Sequence, residues 1–195
     1  MSFFSTLDST AVLTGILSSL VASILWIVIL FRVRPNLKVS PEMAIDIDPF
    51  TKDIVYVFKV VNQSPFFKIY ELKCSISILQ IIPSHNGEDT KKTEDRVELI
   101  NDNYWVLERF NPRHISQWFK KDKKLKTRTN YAAQFGTKYD LKSVINDPKN
   151  RKIIRVEVFA KHPLSGFSKV KFEEYKHGSE LVGGSFCSGN CFKIK

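Results

Sequence analysis

Residues 11–31 read AVLTGILSSLVASILWIVILF, a stretch without a charged side chain, a proline or an amide side chain. As an α-helix, with a rise of about 1.5 Å per residue, this stretch is roughly 30 Å long, which matches the hydrocarbon core of a bilayer. Buried helices of water-soluble domains are usually shorter and keep a polar stripe. The sequence therefore predicts a transmembrane helix over residues 11–31, preceded by a short N-terminal segment, residues 1–10.

The charges at the two ends of this stretch predict its orientation. Residues 1–10 contain one charged side chain, that of Asp8, whereas Arg32 and Arg34 directly follow the stretch. Because basic residues are retained on the cytoplasmic side, we expect a single-pass protein of the inner (plasma) membrane with its N-terminus outside and residues 32–195 in the cytoplasm. A cleaved signal peptide is the alternative, but the sequence lacks its basic start, its short apolar core and its cleavage pattern.

Small residues recur within the span at intervals of four. Gly15, Ser19 and Ser23 form one ridge along the predicted helix. Membrane helices associate through close backbone approach and interhelical hydrogen bonds, and small residues permit both. We therefore expect the span to associate with other copies of itself through this ridge. The alternative is that small residues are simply frequent in membrane helices.

The remaining residues are strongly basic and numerous enough for one domain. All 30 Lys and Arg and 19 of the 20 Asp and Glu lie in residues 32–195, which gives a net charge of +11. This balance favours anionic partners, namely the lipid surface, nucleic acid or nucleotides. The alternative is a solvated basic surface. The residues predicted to contact an anion or lipid are Lys120, Lys121, Lys123, Lys124, Lys126 and Arg128, in one basic run, and Lys161 and His162, in a turn.

Short strands dominate the pattern of this basic portion. Residues 54–61 read IVYVFKVV, and such a run of β-branched and aromatic residues is typical of a central strand. Apolar and polar residues alternate in residues 72–78, 153–160 and 170–173, which predicts strands with one buried face. Residues 84–95 contain no apolar side chain and are typical of a surface loop.

One short helix interrupts the strands. Asp140 can cap it, the apolar residues of 141–145 share a face, and Pro148 ends it. Seven or eight short strands without regular alternation of strand and helix indicate a mainly β fold. We expect an antiparallel β-sandwich over residues 32–195, with a small β-barrel as the alternative.

Motifs for catalysis are missing from the sequence. It contains no glycine-rich phosphate loop, no G-x-S-x-G, no H-E-x-x-H and no C-x-x-C. The cysteines, Cys74, Cys187 and Cys191, are odd in number, which fits free thiols in a reducing compartment. A disulfide is the alternative if the orientation is the reverse. We expect no enzymatic activity, no metal and no cofactor.

Several segments carry a resemblance to known proteins. They are RPNLKVSPE at 34–42, FKVVNQS at 58–64, VEVFAKHPLSGFSKVKFEEY at 156–175 and GSFCSGN at 184–190. With them the chain resembles bacterial single-span proteins with a β-rich cytoplasmic domain. Its layout is also similar to the transmembrane effectors that accompany some retrons in anti-phage defence, and to β-barrel membrane effectors of cyclic-oligonucleotide signalling. The latter usually have two spans, and none of their ligand residues has a match here.

The resemblance implies a membrane-anchored effector of a bacterial anti-phage defence system. Its β domain would restrain the helices until a defence-system partner protein, or a nucleic acid or nucleotide trigger, signals infection. The released helices would then compromise the inner membrane and cause abortive infection. The alternative is a membrane-tethered sensor or scaffold that binds a nucleotide, RNA or anionic lipid through its basic domain. A subunit of a larger transporter or secretion assembly is a third interpretation.

Overall fold

A computed structural model describes residues 9–32, 36–64, 67–82, 90–109, 131–146, 151–162, 166 and 168–195, without the side chains of residues 9, 30–32 and 94. The chain divides into two compact units, Met1–Arg34 and Pro35–Lys195. The predicted basic run at residues 120–128 lies outside the described residues.

The first unit contains one long helix, α1 (Ser9–Arg32). This helix begins two residues before the predicted span and ends one residue after it, so the predicted helix is confirmed. Thr10–Ile29 is long and apolar enough to cross a membrane, and none of it is buried. By its length and composition, α1 is therefore a candidate membrane span.

The second unit is mainly β, as the sequence predicts. Its strands are β1 (Leu37–Val39), β2 (Met43–Ile47), β3 (Ile54–Asn62), β4 (Ile69–Ile82), β5 (Thr90–Val97), β6 (Asn103–Leu107), β7 (Ala132–Thr137), β8 (Lys152–Lys161), β9 (Ser168–Tyr175) and β10 (Leu181–Gly183). The unit also has a short helix, α2 (Leu141–Ile145), and a 3₁₀ turn, Gly178–Glu180.

Two five-stranded sheets are each built around one long strand. In the first sheet, β3 pairs with β1 and β2 along one edge and with β7 along the other, and β10 extends β2 in parallel. In the second, β4 pairs with β5 and β6 along one edge and with β8 along the other, and β9 lies beyond β8. The sheets curl into a half-barrel, and among the strands of the described residues only the β10 pairing is parallel.

One hydrophobic core unites the two sheets. Phe58 of β3 stacks on Phe135 of β7, with 5.4 Å between the ring centroids. From the second sheet, Ile154, Val156 and Val158 of β8 are completely buried. These three residues occupy alternate positions, and successive side chains of a strand point to opposite faces. The alternation predicted over residues 153–160 is therefore confirmed as a buried face.

The predicted short helix and its cap are confirmed. Asp140 precedes α2, and its Oδ1 accepts hydrogen bonds from the Ser143 N–H at 3.3 Å and from the Tyr56 hydroxyl at 2.8 Å. Tyr56 lies on β3, so the cap also joins α2 to the central strand of the first sheet. The hydrogen bond from Tyr56 contributes most to the lowered pKa of Asp140.

The prediction of a surface loop over residues 84–95 is wrong for residues 90–95. Residues 90–95 belong to β5, which pairs with β4 from Ile76 to Ile82. Nearly all described side chains of β5 are exposed, and only Val97 is buried. An edge strand is held by main-chain hydrogen bonds to one neighbour, so it needs no apolar alternation when both of its faces meet solvent.

The predicted orientation of β9 is also wrong. Val170 and Phe172 are 47% and 51% exposed, whereas the intervening Lys169, Lys171 and Glu173 are half-buried. Val170 lies opposite Phe159, which is on the outer face of β8. The strand itself is confirmed, but its register on β8 turns the apolar side chains away from the core.

Candidate functional site

The predicted association ridge on α1 is open. Apart from its chain neighbours and the backbone of its own helix, a Cβ added to Gly15 would meet no atom within 4 Å. Ser19 donates from Oγ to the carbonyl oxygen of Ile16 at 2.8 Å, and Ser23 donates from Oγ to that of Ser19 at 2.8 Å. Both hydroxyl protons are therefore satisfied within the helix itself.

A neighbouring ridge shows the same arrangement. Thr14 donates from Oγ1 to the carbonyl oxygen of Thr10 at 2.7 Å, and Ser18 donates from Oγ to that of Gly15 at 3.0 Å. In hydrocarbon an unpaired donor is costly, so these intrahelical bonds make the small polar residues compatible with lipid. The hydroxyl oxygens can still accept a hydrogen bond from a second helix. This side of α1 is therefore suited to both lipid and helix contact.

The two predicted anion contacts at the end of β8 do not share a surface. The Nζ of Lys161 lies 3.6 Å from Oε1 of Glu71, and both side chains are exposed, so the pair contributes little to stability. His162 is only 1% exposed, and its ring meets Phe67 edge-on at 4.7 Å between centroids. Burial lowers the pKa of His162 below its ordinary value. Of these two residues, Lys161 is the one placed to meet a soluble anion.

The other six predicted contacts, Lys120 to Arg128, fall in the basic run outside the described residues. Their role in binding an anion or lipid stays a prediction. In the described part of the chain, no group of three or more His, Cys, Asp or Glu side chains is arranged to hold a metal.

A buried lysine is the feature that the sequence interpretation missed. Lys59, in the middle of β3, is almost completely buried. Its Nζ donates to the carbonyl oxygens of Cys187 at 2.7 Å and Cys191 at 3.0 Å, and it lies 5.9 Å from the ring centre of Phe186. Burial lowers the pKa of Lys59. Within the described ranges, Lys59 forms no ion pair with a carboxylate, so main-chain carbonyls stabilise its charge.

The carbonyls that bind Lys59 belong to a small hairpin at the end of the chain. Ser185 and Lys195 exchange two main-chain hydrogen bonds of 3.0 Å, and the Cys187 N–H donates to Lys193 at 2.9 Å. Just before the hairpin, Gly184 donates to the carbonyl of Ile45 on β2 at 2.9 Å. The hairpin loop therefore lies against the first sheet with Lys59 beneath it, and it carries both cysteines.

Comparison with protein-family models gives no match for this chain. Comparison with curated proteins likewise gives no match.

Proposed function

We propose that this protein is a non-enzymatic membrane effector, with α1 in the inner membrane and the β domain in the cytoplasm. The observation that carries the proposal is the surface of α1. Its large apolar side chains from Val12 to Ile29 are between 42% and 63% exposed. Contiguous apolar surface of this extent requires an apolar environment. A bilayer supplies that environment along the whole length of the helix.

The energetics of insertion support the same proposal. Eleven Val, Leu and Ile side chains are exposed along α1. At about 0.3 to 0.6 kcal/mol for each such side chain, they favour the bilayer by roughly 3 to 7 kcal/mol in total. Two arginines follow the apolar stretch, whereas the residues before it contain none. The asymmetry supports an N-terminus outside and a β domain inside.

The proposed mechanism is a change in helix association. Several copies of a single span are needed to form a path for ions, and the Gly15, Ser19, Ser23 ridge allows the close approach that assembly requires. The β domain restrains the helices until a trigger binds the released state more tightly. To shift the population from 1:99 to 99:1, the trigger must favour the released state by about 5.5 kcal/mol. In the proposed setting, anti-phage defence, membrane failure would arrest the infected cell.

Leucine substitutions on the ridge test this mechanism. We expect Gly15→Leu/Ser19→Leu/Ser23→Leu to prevent close helix approach and to abolish loss of membrane potential and dye entry. The measurement uses bacteria that express the chain with and without its neighbouring genes. Val21→Leu/Val28→Leu is the matched control, because it adds bulk on the opposite side of α1, and it should behave as wild type. Equal membrane damage by the ridge variant and the wild type would contradict the mechanism.

A tethered sensor or scaffold is the second candidate. It is favoured by the observation that Pro35–Lys195 is a compact unit of its own, in a portion of the chain that is strongly basic. Here α1 serves only as an anchor. If the protein is a sensor or scaffold, replacing residues 9–32 by an unrelated single-span helix should preserve its function. If it is an effector, the same replacement should abolish its function. Vesicles with phosphatidylglycerol and a single-stranded RNA are the probes for anion binding.

A further inference from the structure

The main-chain carbonyls of Cys187 and Cys191 converge on one ammonium group at the loop of the C-terminal hairpin. The ammonium group of Lys59 donates hydrogen bonds to both of these carbonyl oxygens, to that of Cys187 at 2.7 Å and to that of Cys191 at 3.0 Å. The Sγ of Cys191 lies 3.9 Å from the carbonyl oxygen of Ser188, the residue that follows Cys187. The Cys191 thiol therefore faces the main chain of the residue next to Cys187.

The surroundings of the two thiols differ from those of the third cysteine. Cys187 and Cys191 are partly exposed, whereas Cys74 is buried on β4 and burial raises its pKa. Exposure leaves the side chains of Cys187 and Cys191 accessible to a soluble oxidant, whereas burial shields Cys74 from it.

We propose that Cys187 and Cys191 are a thiol modification site that closes into a reversible intramolecular disulfide when it meets a two-electron oxidant such as hydrogen peroxide. This site does not depend on the proposed effector function. Disulfide closure requires two cysteines whose Cα atoms lie about 4.4 to 6.8 Å apart, a separation that a short closed loop can supply.

The chemistry balances in two steps. One thiolate attacks a peroxide oxygen, so that an S–O bond forms, the O–O bond breaks and hydroxide leaves to take up a proton as water. The second thiolate attacks the sulfenic sulfur, so that the S–S bond forms, the S–O bond breaks and a second water results. Two thiols are oxidised and one hydrogen peroxide is reduced to two waters. A cellular dithiol reverses the reaction by thiol–disulfide exchange.

The test uses the reduced full-length protein in detergent micelles at about pH 7. Hydrogen peroxide is added, free thiols are blocked with N-ethylmaleimide, and the masses of the tryptic peptides are measured by mass spectrometry. Both cysteines fall in one tryptic peptide, residues 177–193, and Cys74 falls in another. We expect the 177–193 peptide to lose two hydrogens and to regain them with dithiothreitol.

Matched variants separate this site from general oxidation. Cys74→Ser should behave as wild type, whereas Cys187→Ser and Cys191→Ser should each stop at a sulfenic acid that dimedone traps. Lys59→Met should slow closure, because it removes the ammonium group that binds the main-chain carbonyls of both Cys187 and Cys191. Lys59→Arg should retain most of the rate, and circular dichroism checks that each variant is folded.

Two results would overturn the proposal. The first is a wild-type protein whose 177–193 peptide keeps both thiols, or forms only disulfides between chains, while peroxide is consumed. The second is a complete disulfide in protein alkylated inside unstressed cells before lysis, because a permanent bond is not a reversible site.

Discussion

Two buried ionisable side chains, Lys59 and His162, are accommodated in different ways. Lys59 keeps hydrogen-bond partners for its charge, because two main-chain carbonyls reach its Nζ. His162 instead favours the neutral form, since burial alone lowers its pKa. Removing a charge from water is costly, so burial favours the neutral form of His162, while main-chain carbonyls stabilise the charge of Lys59.

The buried histidine predicts a stability that depends on pH. The unfolded chain protonates this histidine near pH 6.5, whereas the folded chain does so only at lower pH. Between these values the unfolded state binds more protons, so the free energy of unfolding falls as the pH falls below about 6.5, by at most about 1.4 kcal/mol per pH unit. Urea unfolding of the full-length protein in micelles, at about pH 7 and pH 5, measures this effect.

His162→Gln is the control for that measurement, because glutamine does not titrate. Its free energy of unfolding should change less between the two pH values than that of the wild type. Parallel changes in both proteins would assign the acid sensitivity to other groups.

At the scale of elements, β8 and β9 show which side of a strand faces the core. Ile154 of β8 is completely buried, whereas Val170 of β9 is about half exposed on the outer face. We expect Ile154→Ala to lower the free energy of unfolding by about 2 to 5 kcal/mol, because it removes packed methyl groups and leaves a cavity. We expect Val170→Thr to change it by less than about 0.5 kcal/mol. Denaturant titration of both variants compares the two faces, and a large cost at Val170 would contradict the outward orientation.

At the scale of the whole molecule, the β domain has a core of its own. All buried residues of the core cluster lie between Leu37 and Leu181. We therefore expect a chain that begins at Pro35 to keep its β-type circular dichroism spectrum and to unfold cooperatively. We also expect the full-length protein to stay in the membrane pellet during extraction with alkaline carbonate, and the shortened chain to be absent from that pellet. An unfolded or aggregated domain, or a full-length protein that stays in the supernatant, would contradict this division of roles.

The candidate sites could be predicted from the sequence only in part. The Gly15, Ser19, Ser23 ridge follows from helical spacing, because neighbours on a helix are three or four residues apart. Lys59 could not be recognised in this way. The carbonyls that bind it come from residues 128 and 132 positions later, so nothing near IVYVFKVV indicates that this lysine is buried with partners.

The sequence by itself determined α1, the central strand β3, the buried face of β8 and the capped helix α2. Each depends on composition, periodicity or a capping residue within a few positions, and these act locally. Only the tertiary structure decided that the polar residues of β5 form a strand, that the apolar side chains of β9 face outward, and that β10 joins β2 in parallel. Those outcomes depend on which distant strand supplies the hydrogen bonds and on its register, and a local pattern carries no information about either.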